Sequence, residues 1–280
     1  MTNTASGETS MNALGATRAW EKSQRPGSGR AFFVAAALLF AASAAVTIAW
    51  CGSMSAMGGM PMPGGWTMSM AWMRMPGQSW AGAATVFLGM WAVMMVAMML
   101  PAVTAMLLRY RHAIGAAPRR DMLTALAGLG YYAVWTLFGA AAFPLGAALA
   151  ETEMRLPAVA RAVPEASGMV ILIAGAVQFT PWKARQLACC RSMPGRTLPA
   201  DAITALRHGV RCGVQCGLCC AGPAAILFAL GVMDLRAMAV VTAAISIERL
   251  APGGGIAARA AGAAAIGAGL LLMARAAGLG

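Results

Sequence analysis

Seven stretches of the chain are apolar almost without interruption, and short polar segments separate them. A helix needs about 20 mostly apolar residues to cross the hydrocarbon core of a bilayer. Proline and glycine inside such runs are tolerated, because neighbouring helices satisfy the freed backbone groups. The pattern predicts an all-α fold, a polytopic helical membrane bundle with about seven transmembrane helices. The predicted spans are 31–50, 81–108, 124–150, 166–182, 212–230, 235–250 and 256–276.

The positive charges fall on alternate sides of these seven runs. Of the 21 Lys and Arg residues, sixteen lie before the first run and in every second connection, and five lie on the other side. Cytoplasmic loops of membrane proteins are enriched in Lys and Arg. We therefore expect the N-terminus in the cytoplasm and the C-terminus outside. Residues 1–30 are polar and basic, which predicts a flexible cytoplasmic tail before a single transmembrane domain at 31–276, with the first run kept as an uncleaved span.

Composition excludes an ordinary soluble protein. Apolar residues make up 60% of the 280 positions, charged residues make up 11%, and the mean hydropathy is +0.69. The net charge of +12 reflects the basic loops. No zinc-finger or basic-helix pattern accompanies it, so we expect the lipid bilayer as a partner and no nucleic acid. The chain contains no HExxH, P-loop or G-x-S-x-G motif, and we expect that it is not an enzyme.

Methionine is the unusual residue, with 23 copies, and eight of them crowd the predicted outer loop 51–80. Thioether sulfur is a soft, neutral ligand that selects Cu(I) over harder metals. Glycine and proline predict an irregular loop. The alternative is an apolar loop in the membrane interface, anchored by tryptophans. The weaker metal candidates of this loop are Met54, Met57, Met60, Met62, Met68, Met70, Met73 and Met75.

A second group of methionines lies in the second run. Met90, Met94 and Met98 fall on one face of a helix, and Met95 and Met99 lie beside that face. These thioethers would form a ladder along which Cu(I) moves. The alternative is ordinary packing or lipid contact.

The cysteines are the strongest signal. Cys212, Cys216, Cys219 and Cys220 fall on one arc of a continuous helix, at its predicted cytoplasmic end. Cys189 and Cys190 lie in the preceding connection, on the same side. The cytosol is reducing, so structural disulfides are not expected. Thiolates bind Cu(I) or Zn(II), and the cluster predicts a metal site. Small buried thiols or a redox relay are the alternatives.

Several polar residues lie in or beside the predicted spans, where they are functional candidates by default. His208 precedes Cys212 by four residues and is a weaker metal candidate. Lys183 is expected to snorkel to the inner surface, and Glu248 is expected to pair with Arg249. The remaining candidates are Gln178, Thr180 and Pro181.

These motifs resemble a bacterial family of predicted metal-binding integral membrane proteins that is described as copper-chaperone-like. The matching segments are 90–101, 178–183, 190–194, Gly209, 216–220, 231–235 and 248–249, and together they cover about 90–251. The resemblance implies a multi-pass protein of the bacterial inner membrane. It also implies a metal site at Cys190, Cys216, Cys219 and Cys220, with the methionines of the second run nearby.

The chain departs from the family pattern at three positions. Gln186 stands where the family usually has the first of two cysteines, Asp234 replaces an asparagine, and Cys212 is an addition. The Met-rich loop precedes the matching region, so the resemblance assigns it no role.

The leading hypothesis is a protein that handles Cu(I). Copper would be gathered by the outer methionines, pass along the second run and reach thiolates inside, for uptake or for delivery to a membrane cuproenzyme. A soluble metallochaperone is the other expected partner, and zinc is the alternative metal. A membrane thiol oxidoreductase and a ligand-free structural subunit are the competing functions.

Overall fold

The apolar runs of the sequence are helical in the computed structural model, which describes residues 26–56, 58–191 and 198–278. Helices dominate these residues, as predicted, and one small hairpin accompanies them. The nine helices of the described residues are α1 (Pro26–Ala56), α2 (Trp80–Ala113), α3 (Arg120–Arg155), α4 (Pro157–Val177), α5 (Pro181–Arg191), α6 (Ala202–Cys219), α7 (Ala221–Leu230), α8 (Leu235–Leu250) and α9 (Gly254–Ala276).

Five of these helices are long and apolar enough to cross a membrane, namely α1, α2, α3, α4 and α9. A sixth crossing is added if α6 and α7 are one broken span, since they meet at a bend of 61°. With 16 residues, α8 is about 24 Å long, which is shorter than the ~30 Å hydrocarbon core. The all-helical fold is confirmed, whereas the membrane insertion, the number seven and the orientation stay predictions. Residues 1–25 of the predicted tail 1–30 lie outside the described residues. Its last five residues belong to α1, which begins at Pro26.

The predicted span 166–182 has different boundaries in the structure. Helix α4 begins earlier, at Pro157, and ends at Val177. A new helix, α5, begins at Pro181. Proline suits the first position of a helix, where its missing N–H is not needed. The side chain of Thr180 caps this start, because its hydroxyl oxygen accepts the backbone N–H of Lys183 at 3.3 Å.

The predicted span 212–230 is broken in the middle. Helix α6 begins at Ala202 and ends at Cys219, and α7 follows the intervening Cys220. Pro223 explains the break, because it has no N–H to donate to the carbonyl of Cys219 four residues earlier. The expectation of four cysteines on one continuous helix was therefore wrong.

Glycines let the helices approach closely at two interfaces. A Cβ atom added to Gly209 of α6 would lie 2.0 Å from the carbonyl oxygen of Ala127 in α3. Between α4 and α9, a Cβ atom on Gly175 would lie 2.8 Å from the carbonyl oxygen of Gly262. Only residues without a side chain permit such backbone contact. These two close contacts join α3 to α6 and α4 to α9.

The Met-rich loop is folded rather than irregular, contrary to expectation. Strands β1 (Met60–Met62) and β2 (Trp66–Met68) form an antiparallel hairpin. Met62 and Met68 are buried against Ala150 and Ala160, the ends of α3 and α4. The indole N–H of Trp66 donates to the carbonyl oxygen of Ala160 at 2.8 Å. The hairpin therefore covers one end of the bundle. The predicted candidate Met57 lies outside the described residues.

Candidate metal centre

Helix α2 turns all of its predicted methionine ligands toward the protein. Each of the five is at most 4% exposed, so they do not face lipid. They belong to one buried cluster in which sulfur is abundant, with seven methionines and five cysteines among the described residues. The methionines are Met90, Met94, Met95, Met98, Met99, Met106 and Met238, and the cysteines are Cys51, Cys190, Cys216, Cys219 and Cys220.

A small cavity joins the methionines of α2 to the cysteines. Its volume is about 10 Å³, which is close to the least that holds one water molecule. Four sulfur-bearing side chains line it, namely Met95, Met98, Met99 and Cys220. The other lining residues are aromatic or aliphatic. Three thioethers and one thiol therefore line a space of about the size of a single water molecule.

Four buried cysteines form a row that we call the thiol row: Cys190, Cys219, Cys220 and Cys216, in that order. The thiols of Cys216 and Cys220 are hydrogen-bonded, and Cys219 lies close to both Cys190 and Cys220. The Sγ atoms of Cys216 and Cys220 lie 3.7 Å apart. The bend between α6 and α7 brings Cys220 into the row. Helix α5, which lies outside the candidate spans, contributes Cys190, whose pKa is raised by its hydrogen bond to Cys219 and by burial.

Cys216 receives two strong donors. The hydroxyl of Tyr131 donates to its Sγ at 2.8 Å, and Nη1 of Arg249 donates to the same atom at 2.8 Å. Cys216 is 0% exposed. Arginine carries a fixed positive charge and has no acceptor, and a cation beside a thiol favours the thiolate. Cys216 therefore receives one cationic and one neutral donor in a site closed to solvent.

An ion pair lies next to the thiol row. Nζ of Lys183 is 2.7 Å from Oε2 of Glu248 and also donates to the carbonyl oxygen of Cys219 at 2.8 Å. Nε2 of Gln178 donates to Oε1 of Glu248 at 3.4 Å. Lys183 is only 2% exposed. The expectation that it snorkels to the surface was therefore wrong.

The expected pairing of Glu248 with Arg249 is also absent from the described residues. Consecutive residues of a helix point about 100° apart. Glu248 consequently faces α5 and Lys183, while Arg249 faces α6 and Cys216.

The remaining predicted residues lie around this core. Cys189 is exposed, and its Sγ accepts a hydrogen bond from Gln215 at 3.6 Å. Cys212 is half-buried, with its Sγ 3.6 Å from Nε2 of His208. Thr180 and Pro181 form the start of α5 and carry no metal-facing role in the described contacts.

No cage of ligands is present within 26–56, 58–191 and 198–278. These residues contain no group of three or more His, Cys, Asp or Glu side chains that is arranged to hold one metal ion. Of the six cysteines predicted to cluster, four form the thiol row, and Cys189 and Cys212 lie outside it. Methionine thioethers do not belong to that set of ligand types. When they are included, sulfur side chains converge at the cavity that Met95, Met98, Met99 and Cys220 line.

Sequence reasoning missed Tyr131 and misassigned Arg249, and it also missed two arginines at the rim. Nη1 of Arg191 donates to the carbonyl oxygen of Glu248 at 3.0 Å, and Nη2 of Arg109 donates to that of Cys190 at 3.1 Å. A tyrosine within an apolar run was the available signal for Tyr131. The sequence contained no signal that Tyr131 and Arg249 share one partner.

Comparison with known protein families gives a match. Neither the curated proteins nor the solved structures contain a match to this chain. A family model described as a copper chaperone matches residues 88–272, which include most of α2 with its five methionines, the thiol row, Tyr131, Lys183, Glu248 and Arg249. The chain therefore belongs to the PpoB2 copper chaperone family.

Proposed function

We propose that this protein binds Cu(I) inside the membrane on sulfur ligands and passes it between the methionines of α2 and the thiol row. The observation that carries the proposal is the cavity shared by Met95, Met98, Met99 and Cys220. It is the point where thioether and thiol ligands meet. Cu(I) is the metal whose chemistry suits both ligand types.

The arrangement of the cysteines favours copper over zinc. A structural zinc site takes four ligands in a closed tetrahedron, and the described residues offer no group of three. Two thiols of the row, Cys216 and Cys220, have sulfur atoms 3.7 Å apart, and Cu(I) is stable with two or three sulfur ligands. The methionines add soft, uncharged ligands that zinc uses little.

The path of the chain supports α8 as a seventh crossing, and the asymmetry of the Lys and Arg residues supports an N-terminus in the cytoplasm. Met233, just before α8, contacts Cys51 at the end of the bundle that bears the Met-rich loop, with sulfur atoms 3.9 Å apart. Arg249, at the last turn of α8, reaches the thiol row. Helix α8 therefore runs between two levels of the bundle despite its length. In this orientation the Met-rich loop faces outward and the thiol row lies toward the bacterial cytoplasm.

Ligand strength gives the transfer a direction. A thiolate binds Cu(I) more strongly than a neutral thioether, so an ion that enters at the methionines moves toward the cysteines. From the thiol row it would pass to a soluble metallochaperone or to a membrane cuproenzyme. Nothing in the sequence suggests a nucleotide-driven step.

Metal analysis of the purified full chain tests the binding step. The protein is kept reduced and anaerobic, loaded with Cu(I) or Zn(II), and freed of excess metal. We expect at least one copper per chain in the wild type and in a Cys189→Ser control, and its loss in a Cys216→Ser/Cys220→Ser variant. Absence of copper from the loaded wild type would contradict the proposal. Equal copper in the double variant would contradict the ligand assignment.

Proteoliposomes test the transfer step. A Cu(I) chelator is trapped inside vesicles that contain the protein, and Cu(I) is added outside. We expect the wild type to deliver copper to the chelator faster than the double cysteine variant. Equal rates in the two proteins would contradict the transfer step and leave only the binding step.

A thiol oxidoreductase is the second candidate, because the 3.7 Å separation of the Cys216 and Cys220 sulfur atoms suits disulfide formation. Thiol trapping in cells followed by mass spectrometry distinguishes the two functions. A reversible disulfide between these cysteines in cells grown without added copper would favour redox chemistry.

A further inference from the structure

Arg249 is a buried cation without a carboxylate partner among the ion pairs of the described residues. Its side chain is 7% exposed. The three ion pairs found there join Arg111 to Asp121, Arg155 to Glu151 and Lys183 to Glu248. The partner of Arg249 is instead the sulfur of Cys216, at 2.8 Å. Burial of an unpaired charge is costly, so this guanidinium needs negative charge on the cysteines.

The neighbouring charges do not supply that balance. Lys183 and Glu248 neutralise each other at 2.7 Å. Arg109 and Arg191 are half-buried at the rim, bound to backbone carbonyls, and both are positive. The second donor to Cys216, Tyr131, is uncharged. Arg249 is therefore the buried charge that the thiol row has to neutralise. The net charge of the sulfur ligands and the metal together must be −1 to do so.

We propose that Arg249 makes the thiol site selective for a monovalent ion by fixing the total charge of the buried complex. This inference rests on the proposed function. Two thiolates, at Cys216 and Cys220, and one monovalent cation sum to −1, which Arg249 neutralises. A divalent ion on the same two thiolates leaves a buried charge of +1. A third thiolate could restore the balance, but although Cys219 is the next thiol of the row, no three such side chains in the described part of the chain are arranged around one ion.

The energy at stake is large enough to decide between ions. Two unit charges about 4 Å apart interact strongly at the low effective dielectric constant of a protein interior. A buried excess charge therefore costs more than the ~1.4 kcal/mol that corresponds to a tenfold change in affinity. Ligand softness favours Cu(I) over Zn(II), and it does not separate Cu(I) from a soft divalent ion such as Cd(II). The charge of Arg249 does.

Competition between Ag(I) and Cd(II) for the purified full chain isolates this effect, because both ions are soft, neither is redox-active here, and they differ in charge. The measured quantity is the ratio of the Ag(I) and Cd(II) affinities. In Arg249→Gln, we expect the ratio to fall by about tenfold or more. Arg249→Lys keeps the charge and should keep a ratio close to that of the wild type.

Two further variants separate charge from structure. Tyr131→Phe removes the other donor at 2.8 Å without a change in charge, so both affinities should weaken and their ratio should stay constant. Arg259→Gln makes the same chemical change at an exposed arginine and should alter neither. A ratio in Arg249→Gln that equals the wild-type ratio would overturn the inference, as would an equal change in Tyr131→Phe.

The outcomes also separate this inference from the proposed function. A wild-type protein that binds neither Ag(I) nor Cu(I) contradicts the proposed function itself. If the wild-type protein binds both ions and Arg249→Gln has the wild-type ratio of Ag(I) and Cd(II) affinities, only the inference is contradicted. If Arg249→Gln does not fold, Glu248→Gln tests the same charge count from the other side, because it leaves the charge of Lys183 unbalanced beside the row while Lys183 can still donate to the carbonyl oxygen of Cys219. The added positive charge should raise the ratio, and an unchanged ratio overturns the inference.

Discussion

Nζ of Lys183 donates a hydrogen bond of 2.8 Å to the carbonyl oxygen of Cys219, the carbonyl that Pro223 leaves without a helical N–H partner. One proline thus ends α6, and one lysine from another helix satisfies the carbonyl that the proline exposes. An unsatisfied carbonyl buried at this depth would cost free energy. The bend between α6 and α7, which places Cys220 at the cavity, is stabilised by this contact.

Replacement of Pro223 by alanine should therefore disturb the site without the removal of any ligand. The new N–H can donate to the carbonyl of Cys219, so α6 and α7 should join into a straighter helix and carry Cys220 away from the cavity. We expect Ag(I) to bind more weakly in Pro223→Ala than in Pro63→Ala, which changes an exposed proline. Unchanged Ag(I) affinity in isothermal titration would show that the bend does not position the thiol.

Leucine at the three cavity-lining methionines should weaken metal binding while the fold is kept. Leucine and methionine have similar volumes, and such exchanges cost less than about 1.5 kcal/mol of stability each. We expect Met95→Leu/Met98→Leu/Met99→Leu to bind Ag(I) about tenfold more weakly, a loss of ~1.4 kcal/mol.

Met106→Leu is the matched control for this variant, because Met106 is a buried residue of the same helix that does not line the cavity. Equal Ag(I) affinity in the triple variant and in the control would mean that the methionines of α2 serve packing only.

The interface of α3 and α6 should not tolerate a side chain at Gly209. A Cβ atom there would lie 2.0 Å from a backbone oxygen, so Gly209→Ala must separate the helices. We expect a loss of about 1–3 kcal/mol of unfolding free energy, as for other overpacked sites.

Alanine at Gly217 of the same helix should be tolerated. A Cβ atom at this position meets nothing within 4 Å, and alanine is a better helix former than glycine by up to ~1 kcal/mol. Thermal unfolding in detergent should show a lower Tm for Gly209→Ala and an equal or higher Tm for Gly217→Ala. A similar loss in both variants would contradict this packing.

The start of α6 should depend on pH through Asp201. Its Oδ1 accepts the backbone N–H of Thr204 at 2.8 Å, and this hydrogen bond lowers the pKa of the carboxyl group below its usual value. A carboxyl whose folded pKa is depressed stabilises the fold above the unfolded pKa of about 3.9, and that contribution is lost as the pH falls through the folded pKa.

Hydrogen exchange at the amide of Thr204 measures this effect. After correction for intrinsic exchange, protection in the wild type should decrease as the pH falls below about 4. Asp201→Asn keeps a capping side chain without charge, so its protection should not depend on pH in this range. The same decrease in Asp201→Asn would exclude Asp201 as the cause.

The pattern of the sequence was sufficient for the helices and for the shared face of the α2 methionines. Met90, Met94 and Met98 share a face because a helix turns by about 100° per residue, and the structure buries that face. The same rule did not predict the break at Cys220, because it assumes a continuous helix. Pro223 interrupts that helix, since it has no N–H to donate to the carbonyl of Cys219.

Sequence by itself determined an apolar, all-helical protein with methionines and cysteines in local groups, since composition and helical periodicity are properties of neighbouring residues. Only the tertiary structure decided which distant groups meet. Lys183 pairs with Glu248, and Cys216 receives Tyr131 and Arg249. The physical reason is that buried charges must find partners, and the choice of partner depends on how helices far apart in the chain pack together.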